Sequence, residues 1–187
     1  MKAGAMTLTE GRSSRIIITP ERPKLRCRRV KTMADLELIR PAFIEFHKES
    51  RFGDIPYSDR KFEALYMRAV NDPTRVALLI TKFKGELVGL IYCTIGEYIF
   101  GHTDLIANVL AFNVRKKFRD SMLGGKAAVK LLNGAVAWSQ QRKASQILVS
   151  VTSGIDITRT DQFLSRTSFE FSGGNYLRIC TKLMENT

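Results

Sequence analysis

The segment from Asn108 to Lys143 places the tightest limits on how this chain can fold. It begins with an unbroken apolar run at residues 109–114, VLAFNV, which is typical of a buried strand. A basic loop at residues 115–119 follows, and Gly124 and Gly125 then open a segment whose apolar residues recur at helical spacing: Ala128, Leu131, Ala135 and Trp138. The first N–H groups of a helix have no internal partner and carry partial positive charge, and glycine lets a ligand approach the backbone closely. This order of elements predicts a binding site for anionic phosphates.

Two widespread phosphate-binding motifs do not fit this segment. A P-loop requires Gly five residues before its Gly-Lys pair and Ser or Thr after the lysine, but Asp120 and Ala127 occupy these positions. The G-x-G-x-x-G fingerprint of dinucleotide-binding proteins does not occur in the chain either.

The segment resembles instead the acyl-coenzyme A loop of the GCN5-related N-acetyltransferase (GNAT) superfamily. In that superfamily a strand ends in Val, a frequent Pro stands two residues later, and the pattern Arg/Gln-x-x-Gly-x-Gly/Ala follows. Here Val114 matches the strand end, Arg119 the Arg/Gln position and Gly124 the final Gly/Ala. Lys116 replaces the frequent Pro and Met122 the first Gly. Because Met carries a Cβ, the resemblance requires a right-handed or bridge-region backbone conformation at this residue.

The first half of the chain follows the element order of the same superfamily, β-α-α-β-β-β-α-β-α-β. The pattern predicts a strand around residues 25–30, helices over about 32–50 and 59–72, and a β-hairpin formed by residues 76–80 and 87–98. Pro41 lies inside the first helical pattern, so we expect a kink there or two separate helices.

The second half of the chain completes this order. It predicts a parallel strand over residues 146–151, a short helix over 161–166, and closing strands at 169–171 and 176–183. Ser168 stands where the superfamily has the Gly of a Gly-Phe step. The resemblance covers residues 25–183. It implies an α/β (α+β) fold with a mixed, mostly antiparallel central sheet of six to seven strands, about four flanking helices and a V-shaped splay between the central strands.

Length and hydropathy favour a single folded domain. The chain has 187 residues, 44% of them hydrophobic, which is enough for a substantial core. We expect residues 1–23 to form a flexible basic arm and residues 24–187 to form one GNAT-like acyl-CoA-binding domain. No apolar run reaches the roughly 20 residues of a membrane helix, and residues 16–18 are too few for the core of a signal peptide. The expected location is the cytoplasm of a bacterium or of a phage-infected cell, with a virion as an alternative.

The cysteines and the charge bear on chemistry and partners. The three cysteines, an odd number, lie in apolar settings, which predicts reduced thiols: Cys27, Cys93 and Cys180. No Cys/His spacing indicates zinc, so no metal is expected.

The net charge is +12, which favours binding of polyanions through long-range attraction and counterion release. One coenzyme A molecule does not require this excess. We therefore expect an acidic protein or nucleic acid as an additional partner, with a solvated basic surface as the alternative and a homodimer left open.

The resemblance implies that acetyl-CoA is the cofactor and that this loop binds it. Main-chain groups of Phe112 and Val114 would contact its pantetheine arm, and the N–H groups from Arg119 to Gly125 would hold its pyrophosphate, with Arg119 and Lys126 adding charge-assisted contacts. The expected cofactor-binding residues are Phe112, Asn113, Val114, Arg119, Asp120, Ser121, Met122, Leu123, Gly124, Gly125 and Lys126. The alternative is that the two glycines only ease packing of the helix on the sheet and that the lysines are solvated.

The catalytic groups are less apparent from the residues. Members of the superfamily often use a Tyr in the short helix after the fifth strand to protonate the leaving thiolate, but Phe163 and Leu164 stand there. The ionisable residues nearest to the predicted central strands are the candidate bases or water-activating groups: Glu97, His102 and Asp104. Asn108 and Asn113 can orient a water but cannot abstract a proton.

Three functions remain open on this basis. The first is an acyl-CoA-dependent N-acyltransferase in which an amine of a small molecule or protein attacks the thioester directly. The second is a catalytically weak or inactive GNAT-fold binding or assembly protein, for example a phage-encoded or virion-associated one. The third, a dedicated nucleic-acid binder, has basic residues but no recognised reading motif. The acceptor pocket is expected in the loops at residues 51–58 and 97–104.

Overall fold

A computed structural model describes residues 24–151 and 153–173 of the chain. Its helices and strands, in chain order, are β1 (Arg26–Arg29), α1 (Met33–Glu49), α2 (Asp59–Asn71), β2 (Val76–Phe83), β3 (Glu86–Glu97), β4 (Leu105–Val114), α3 (Lys116–Arg119), α4 (Met122–Gln141), β5 (Ala144–Val149) and α5 (Ile157–Arg166). The described elements confirm a mixed α/β fold with a mostly antiparallel sheet.

The sheet has the strand order β1-β2-β3-β4-β5 within the described residues. Neighbouring strands from β1 to β4 pair antiparallel, and β4 pairs with β5 in parallel. The parallel pair is connected through α3 and α4, as a crossover between parallel strands requires. The predicted parallel strand at 146–151 is therefore confirmed, beginning two residues earlier.

Two hydrophobic cores lie on opposite faces of this sheet. Alternate side chains of β2 point to opposite faces because the side-chain period of a strand is two. Leu78 and Ile80 pack with α1 and α2, whereas Ala77 and Leu79 pack with α4. All four of these side chains are buried, so β2 is covered by helices on both faces.

The first helix is one continuous element, and the prediction of two separate helices at Pro41 is wrong. Thr32 and Asp35 form a capping box at its start, as the sequence indicates. Pro41 and the residue four positions earlier, Glu37, are both exposed, so the carbonyl that loses its helical partner lies on the solvent side. The buried residues Ile39 and Ala42 flank Pro41 and hold the helix on the sheet.

The last part of the described chain differs from the prediction. Helix α5 begins at Ile157 rather than 161, and residues 169–171 form no strand. The Phe169 N–H bonds instead to the Leu164 carbonyl at 3.1 Å, which is typical of a helix end, and Ser168 adopts φ 65°. The residue that stands in place of a glycine therefore adopts the left-handed conformation that glycine favours.

The sheet of the described residues has five strands rather than the predicted six to seven. The same residues form five helices rather than the predicted four or so. The additional helix is the one-turn α3, formed by residues of the predicted basic loop. The predicted arm at residues 1–23 and the strand predicted at 176–183 lie outside the described residues.

Candidate functional site

The strands β4 and β5 separate halfway along their length. The last pair between them is Val109 and Val149. Beyond it, β4 continues to Val114 and pairs only with β3. Leu110 is the extra residue of a β-bulge, because Tyr92 pairs with Ala111 while the next residue of β3 pairs with Val109. Residues 110–114 thus present one strand edge without a partner among the described residues. This geometry supports the predicted splay between the central strands.

The two faces of this open edge have different chemical character. The Phe112 side chain packs against Phe163 of α5, with 5.9 Å between ring centroids. Ala111 packs on the opposite face, against the core that contains α1 and α2. Phe163 is the residue at which the sequence lacks the expected phenol, and it contributes an apolar ring beside the open edge.

The main-chain amides at the start of α4 are only partly occupied. Ser121 is the N-cap, and its hydroxyl accepts a hydrogen bond from the Gly124 N–H at 3.1 Å. The Gly125 N–H bonds to the Ser121 carbonyl, also at 3.1 Å, as an ordinary helical bond. No acceptor among residues 24–151 and 153–173 pairs with the N–H groups of Met122 and Leu123. Two adjacent amides therefore remain open for an anion.

Met122 satisfies the condition that the resemblance imposes on it. It is the first residue of α4, it does not belong to the described residues with positive φ, and it is 76% exposed. A methionine at this position therefore does not strain the backbone and is not packed into the fold.

Gly124 and Gly125 have separate roles. A Cβ on Gly124 would lie 2.0 Å from the Phe118 carbonyl oxygen, so only glycine allows α4 to approach the turn this closely. A Cβ on Gly125 would have no neighbour within 4 Å. The alternative in which glycine only allows close packing thus holds for Gly124, whose own N–H is already bonded to Ser121. Gly125 instead leaves the helix surface beside it open.

Two arginines of the turn are bonded to α1. Arg115 donates to the Glu45 carboxylate from Nη2 at 2.8 Å and from Nε at 3.1 Å. Arg119 forms an ion pair with Glu49 and donates from Nε to the Val114 carbonyl at 2.8 Å. Burial opposes ionisation of Glu45, but its hydrogen bonds to Arg115 and the Lys116 N–H lower the pKa of this carboxyl below its usual value. Arg119 therefore uses part of its donor set to position the turn.

A third arginine reaches the same turn from α5. Arg159 donates to the Asp120 carboxylate at 2.5 Å and to the Arg119 carbonyl at 2.6 Å. These bonds draw the predicted loop residue Asp120 toward α5 and offset its negative charge near the open amides. Lys126 lies beyond this group on the exposed surface of α4.

The three candidate bases lie together at the other end of the sheet. Glu97 ends β3 and is 4.0 Å from Arg75, while His102 and Asp104 lie exposed in the turn that leads into β4. Six residues of extended chain separate Asp104 from the bulge at Leu110, which corresponds to about 20 Å. The structure thus groups these residues with each other and not with the turn after β4.

Two features of the site carry no local signal in the sequence. The Arg51 N–H bonds to the Ser153 carbonyl at 2.8 Å, which joins the loop after α1 to the loop after β5 across the splayed strands. Tyr92 lies opposite the bulge, and its buried hydroxyl has no hydrogen-bond partner among the described residues. Burial raises the pKa of this phenol. Only residues distant in sequence create either feature.

Neither a metal site nor a membrane-spanning helix is found in the part of the chain that the structure describes. No group of three His, Cys, Asp or Glu side chains there has the arrangement to hold a metal ion. The same residues contain no helix with the length and apolar character needed to cross a bilayer.

Comparison with known proteins supports the fold rather than a particular substrate. No protein-family model matches the sequence, and no curated protein matches it significantly. Among solved structures, glucosamine-6-phosphate N-acetyltransferase from Arabidopsis thaliana is 9% identical, with 84% of this chain and 99% of that chain covered and a TM-score of 0.63.

Two further structures share this architecture. AAC(6')-Iy, solved with the bisubstrate analogue CoA-S-monomethyl-acetylneamine, is 15% identical, with coverage of 84% and 99% and a TM-score of 0.62. The aminoglycoside acetyltransferase meta-AAC0020 from an uncultured soil metagenomic sample, solved with sisomicin, is 16% identical, with coverage of 83% and 96% and a TM-score of 0.59. With its splayed central strands and the helix that follows β4, this chain has the fold of the GCN5-related N-acetyltransferases.

Proposed function

We propose that this protein is an acyl-CoA-dependent N-acyltransferase that transfers an acetyl group from acetyl-CoA to an amine. One observation carries the proposal: the unpaired edge of residues 110–114 is followed, after the turn at residues 115–121, by the two open amides at the start of α4. An extended amide-containing chain fits beside an open strand edge, and a diphosphate fits at a helix N-terminus. These two sites follow each other in the order in which pantetheine and pyrophosphate are joined in coenzyme A.

The residues of the turn fit the charge of this ligand. Phe112, Asn113 and Val114 would contact the pantetheine arm through their main chain, while the N–H groups of Met122 and Leu123 would bind the pyrophosphate. The segment from Arg119 to Gly125 would shape this site, with Ser121 fixing the start of α4 and Asp120 held by Arg159. Lys126, on the exposed side of α4, would add a charge-assisted contact.

Acetyl-CoA would supply an activated acetyl thioester, and this chain would position it for direct attack by the amine. A C–N bond forms, the C–S bond breaks, one amine proton leaves to a base or water and the thiolate takes up a proton. Phe163 cannot donate this last proton, so we propose that solvent supplies it.

Glu97, His102 and Asp104 belong to the proposal only as final acceptors at the end of a chain of water molecules. About 20 Å of strand separates Asp104 from the bulge, which is too long for proton transfer directly or through one water. Asn113, on the open edge, is placed to orient a water. The amine acceptor enters, in this proposal, near the loop at residues 51–58, where Arg51 bonds to Ser153.

The experiment is isothermal titration calorimetry with acetyl-CoA, followed by turnover assays with small amines and protein amines. We expect binding at micromolar concentrations and release of free thiol when a suitable amine is added. No binding at millimolar acetyl-CoA would refute the proposal. Binding without turnover by any acceptor would support the alternative of a catalytically weak GNAT-fold binding protein.

A further inference from the structure

The acetyl group, in the binding mode proposed above, lies where β4 and β5 separate. Pyrophosphate at the open amides of α4 and pantetheine along residues 110–114 place the thioester at the inner end of this edge, beside the bulge residue Leu110. Past Leu110 the two strands are paired, Val109 with Val149, so the ligand cannot continue between them. An amine must therefore reach the thioester from one of the two faces of the sheet.

The face of the sheet toward α4 is filled at this point, whereas the opposite face is open. Phe112, Val149 and Phe163 all pack against the core that contains α4. On the other face, the core formed with α1 and α2 takes only Ala111 from β4 and, within the described residues, no side chain from β5. The acceptor amine thus approaches from the side of α1 and α2.

The floor of this open face is apolar and carries no charge. Leu110 and Leu148 point to it, because the strand residues next to them, Val109 and Val149, pack on the face toward α4. They are 62% and 39% exposed. Neither β4 nor β5 contains an Asp, Glu, Lys or Arg. The floor therefore suits an apolar group and offers no carboxylate to a polycationic amine.

An arginine with an unused charge borders the same face. The Arg51 N–H bonds to the Ser153 carbonyl, which joins the loop after α1 to the loop after β5. Arg51 Cβ and Nε lie 3.4 and 3.9 Å from the position that a Cβ would take on Gly154, so the side chain runs along the backbone of the second loop. Its guanidinium forms no ion pair or hydrogen bond with any residue that the structure describes. A carboxylate on the acceptor would fit these donors.

We propose, on the basis of the acyl transfer proposed above, that the acceptor is a free apolar α-amino acid. Its side chain packs on Leu110 and Leu148, its carboxylate pairs with Arg51, and its amine attacks the thioester. The C–N bond forms as the C–S bond breaks, one amine proton passes to water, and the thiolate takes up a proton from solvent. The products are an N-acetyl amino acid and coenzyme A. The net charge of +12 favours an acceptor with a carboxylate over a polyamine.

The test is equilibrium binding to the full chain, with and without saturating coenzyme A, so it does not require turnover. Calorimetric titrations compare L-phenylalanine with phenethylamine, which lacks only the carboxylate, with glycine, which lacks the apolar side chain, and with spermidine, a polyamine. We expect phenylalanine to bind about tenfold more tightly than phenethylamine and at least about tenfold more tightly than glycine or spermidine. Arg51→Gln should abolish the preference for phenylalanine over phenethylamine.

Arg26→Gln is the matched control, because it removes the same charge from an exposed arginine of β1, at the sheet edge opposite β5. It should retain the full preference for phenylalanine. Equal affinities for phenylalanine and phenethylamine, or an equal loss of preference in both arginine variants, would overturn the proposal.

Two further results would also overturn it. One is binding of glycine as tight as that of phenylalanine. The other is tighter binding of spermidine that is lost in Asp54→Asn, since Asp54 is the only carboxylate in the loop at residues 51–58. Acetyl-CoA binding and turnover of another amine, without binding of phenylalanine, would refute this acceptor class alone. Absence of acetyl-CoA binding would refute the proposed function as well.

Discussion

Arg115 Nη2 lies 2.8 Å from Glu45 Oε2, and this ion pair joins the turn after β4 to helix α1 across 70 positions of sequence. The other carboxylate oxygen of Glu45 accepts the Lys116 N–H at 3.1 Å. One side chain of α1 thus positions both the arginine and the backbone where β4 ends, at the beginning of the turn that leads to the open amides of α4.

The bond between Glu45 and Arg115 yields a first prediction. Glu45→Gln should lower the free energy of unfolding by about 1 kcal/mol, because a partly buried charge pair is replaced by neutral hydrogen bonds. It should also weaken acetyl-CoA binding several-fold, since the turn loses its anchor. The control is Glu37→Gln on the same helix, whose exposed carboxylate contacts Arg40 far from the turn. Equal effects of the two variants on affinity would contradict this reasoning.

The open amide of Met122 can be removed without disturbing the helix. Met122→Pro places proline at the first position of α4, where its fixed φ is compatible and where the N–H has no partner within the described chain. The preceding residue, Ser121, already has the extended backbone that proline requires (φ −108°, ψ 155°). We expect acetyl-CoA affinity to fall roughly tenfold to a hundredfold while thermal stability is retained.

Met33→Pro is the matched control for this variant, because it makes the same change at the first position of α1. It should leave the calorimetric affinity for acetyl-CoA unchanged. Unaltered binding by Met122→Pro would show that this amide does not contact the pyrophosphate.

The two neighbouring glycines should respond oppositely to alanine. Gly124→Ala places a methyl group against the Phe118 carbonyl oxygen and should destabilise the protein by about 2–4 kcal/mol. Gly125→Ala meets no atom within 4 Å and should stabilise α4 by roughly 0.5–1 kcal/mol. Chemical denaturation of both variants measures the contrast. A stabilising Gly124→Ala substitution would mean that α4 does not approach the turn as described.

Two buried tyrosines should also differ when the hydroxyl is removed. Tyr92→Phe removes a hydroxyl without a described partner and should leave stability unchanged or raise it by up to about 1 kcal/mol. Tyr66→Phe removes a hydroxyl that donates to the Thr32 carbonyl and should cost about 1 kcal/mol. Urea denaturation compares them. A large loss of stability in Tyr92→Phe would reveal a hydrogen bond that the described residues do not provide.

Asp35 gives the fold a defined response to acid. Its hydrogen bonds to Arg28 and to the Lys31 N–H outweigh the effect of burial and lower its pKa to about 2. A carboxyl with a depressed folded-state pKa stabilises the fold fully above its unfolded value near 3.9, and this contribution is lost as the pH falls toward 2. Asp35→Asn should therefore cost about 2 kcal/mol at neutral pH. Denaturation curves recorded between pH 6 and about 2 measure the free energy of unfolding of both proteins. The difference in this free energy between Asp35→Asn and the unmodified protein should shrink as the pH falls. A difference that stays constant would exclude ionisation of Asp35 as its cause.

Local patterns in the sequence account for most of the elements. The capping box of Thr32 and Asp35, the β2–β3 hairpin and the amphipathic α4 each arise from residues close together in the chain, so their periodicity and caps suffice to predict them. The prediction of a closing strand at residues 169–171, made from the element order of the superfamily, is wrong. The Phe169 N–H there bonds to the Leu164 carbonyl at the end of α5 instead of to a neighbouring strand.

For the candidate site, the sequence by itself determined the chemical types: a strand, a cationic turn, two glycines and a helix start, with no phenol at Phe163. Only the tertiary structure decided which amides stay open, where β4 leaves β5, and that Glu45 and Glu49 hold the arginines of the turn. Those features depend on contacts between residues some 40 to 70 positions apart. A local pattern carries no record of such contacts, because they form only when the sheet brings α1, α5 and the end of β4 together.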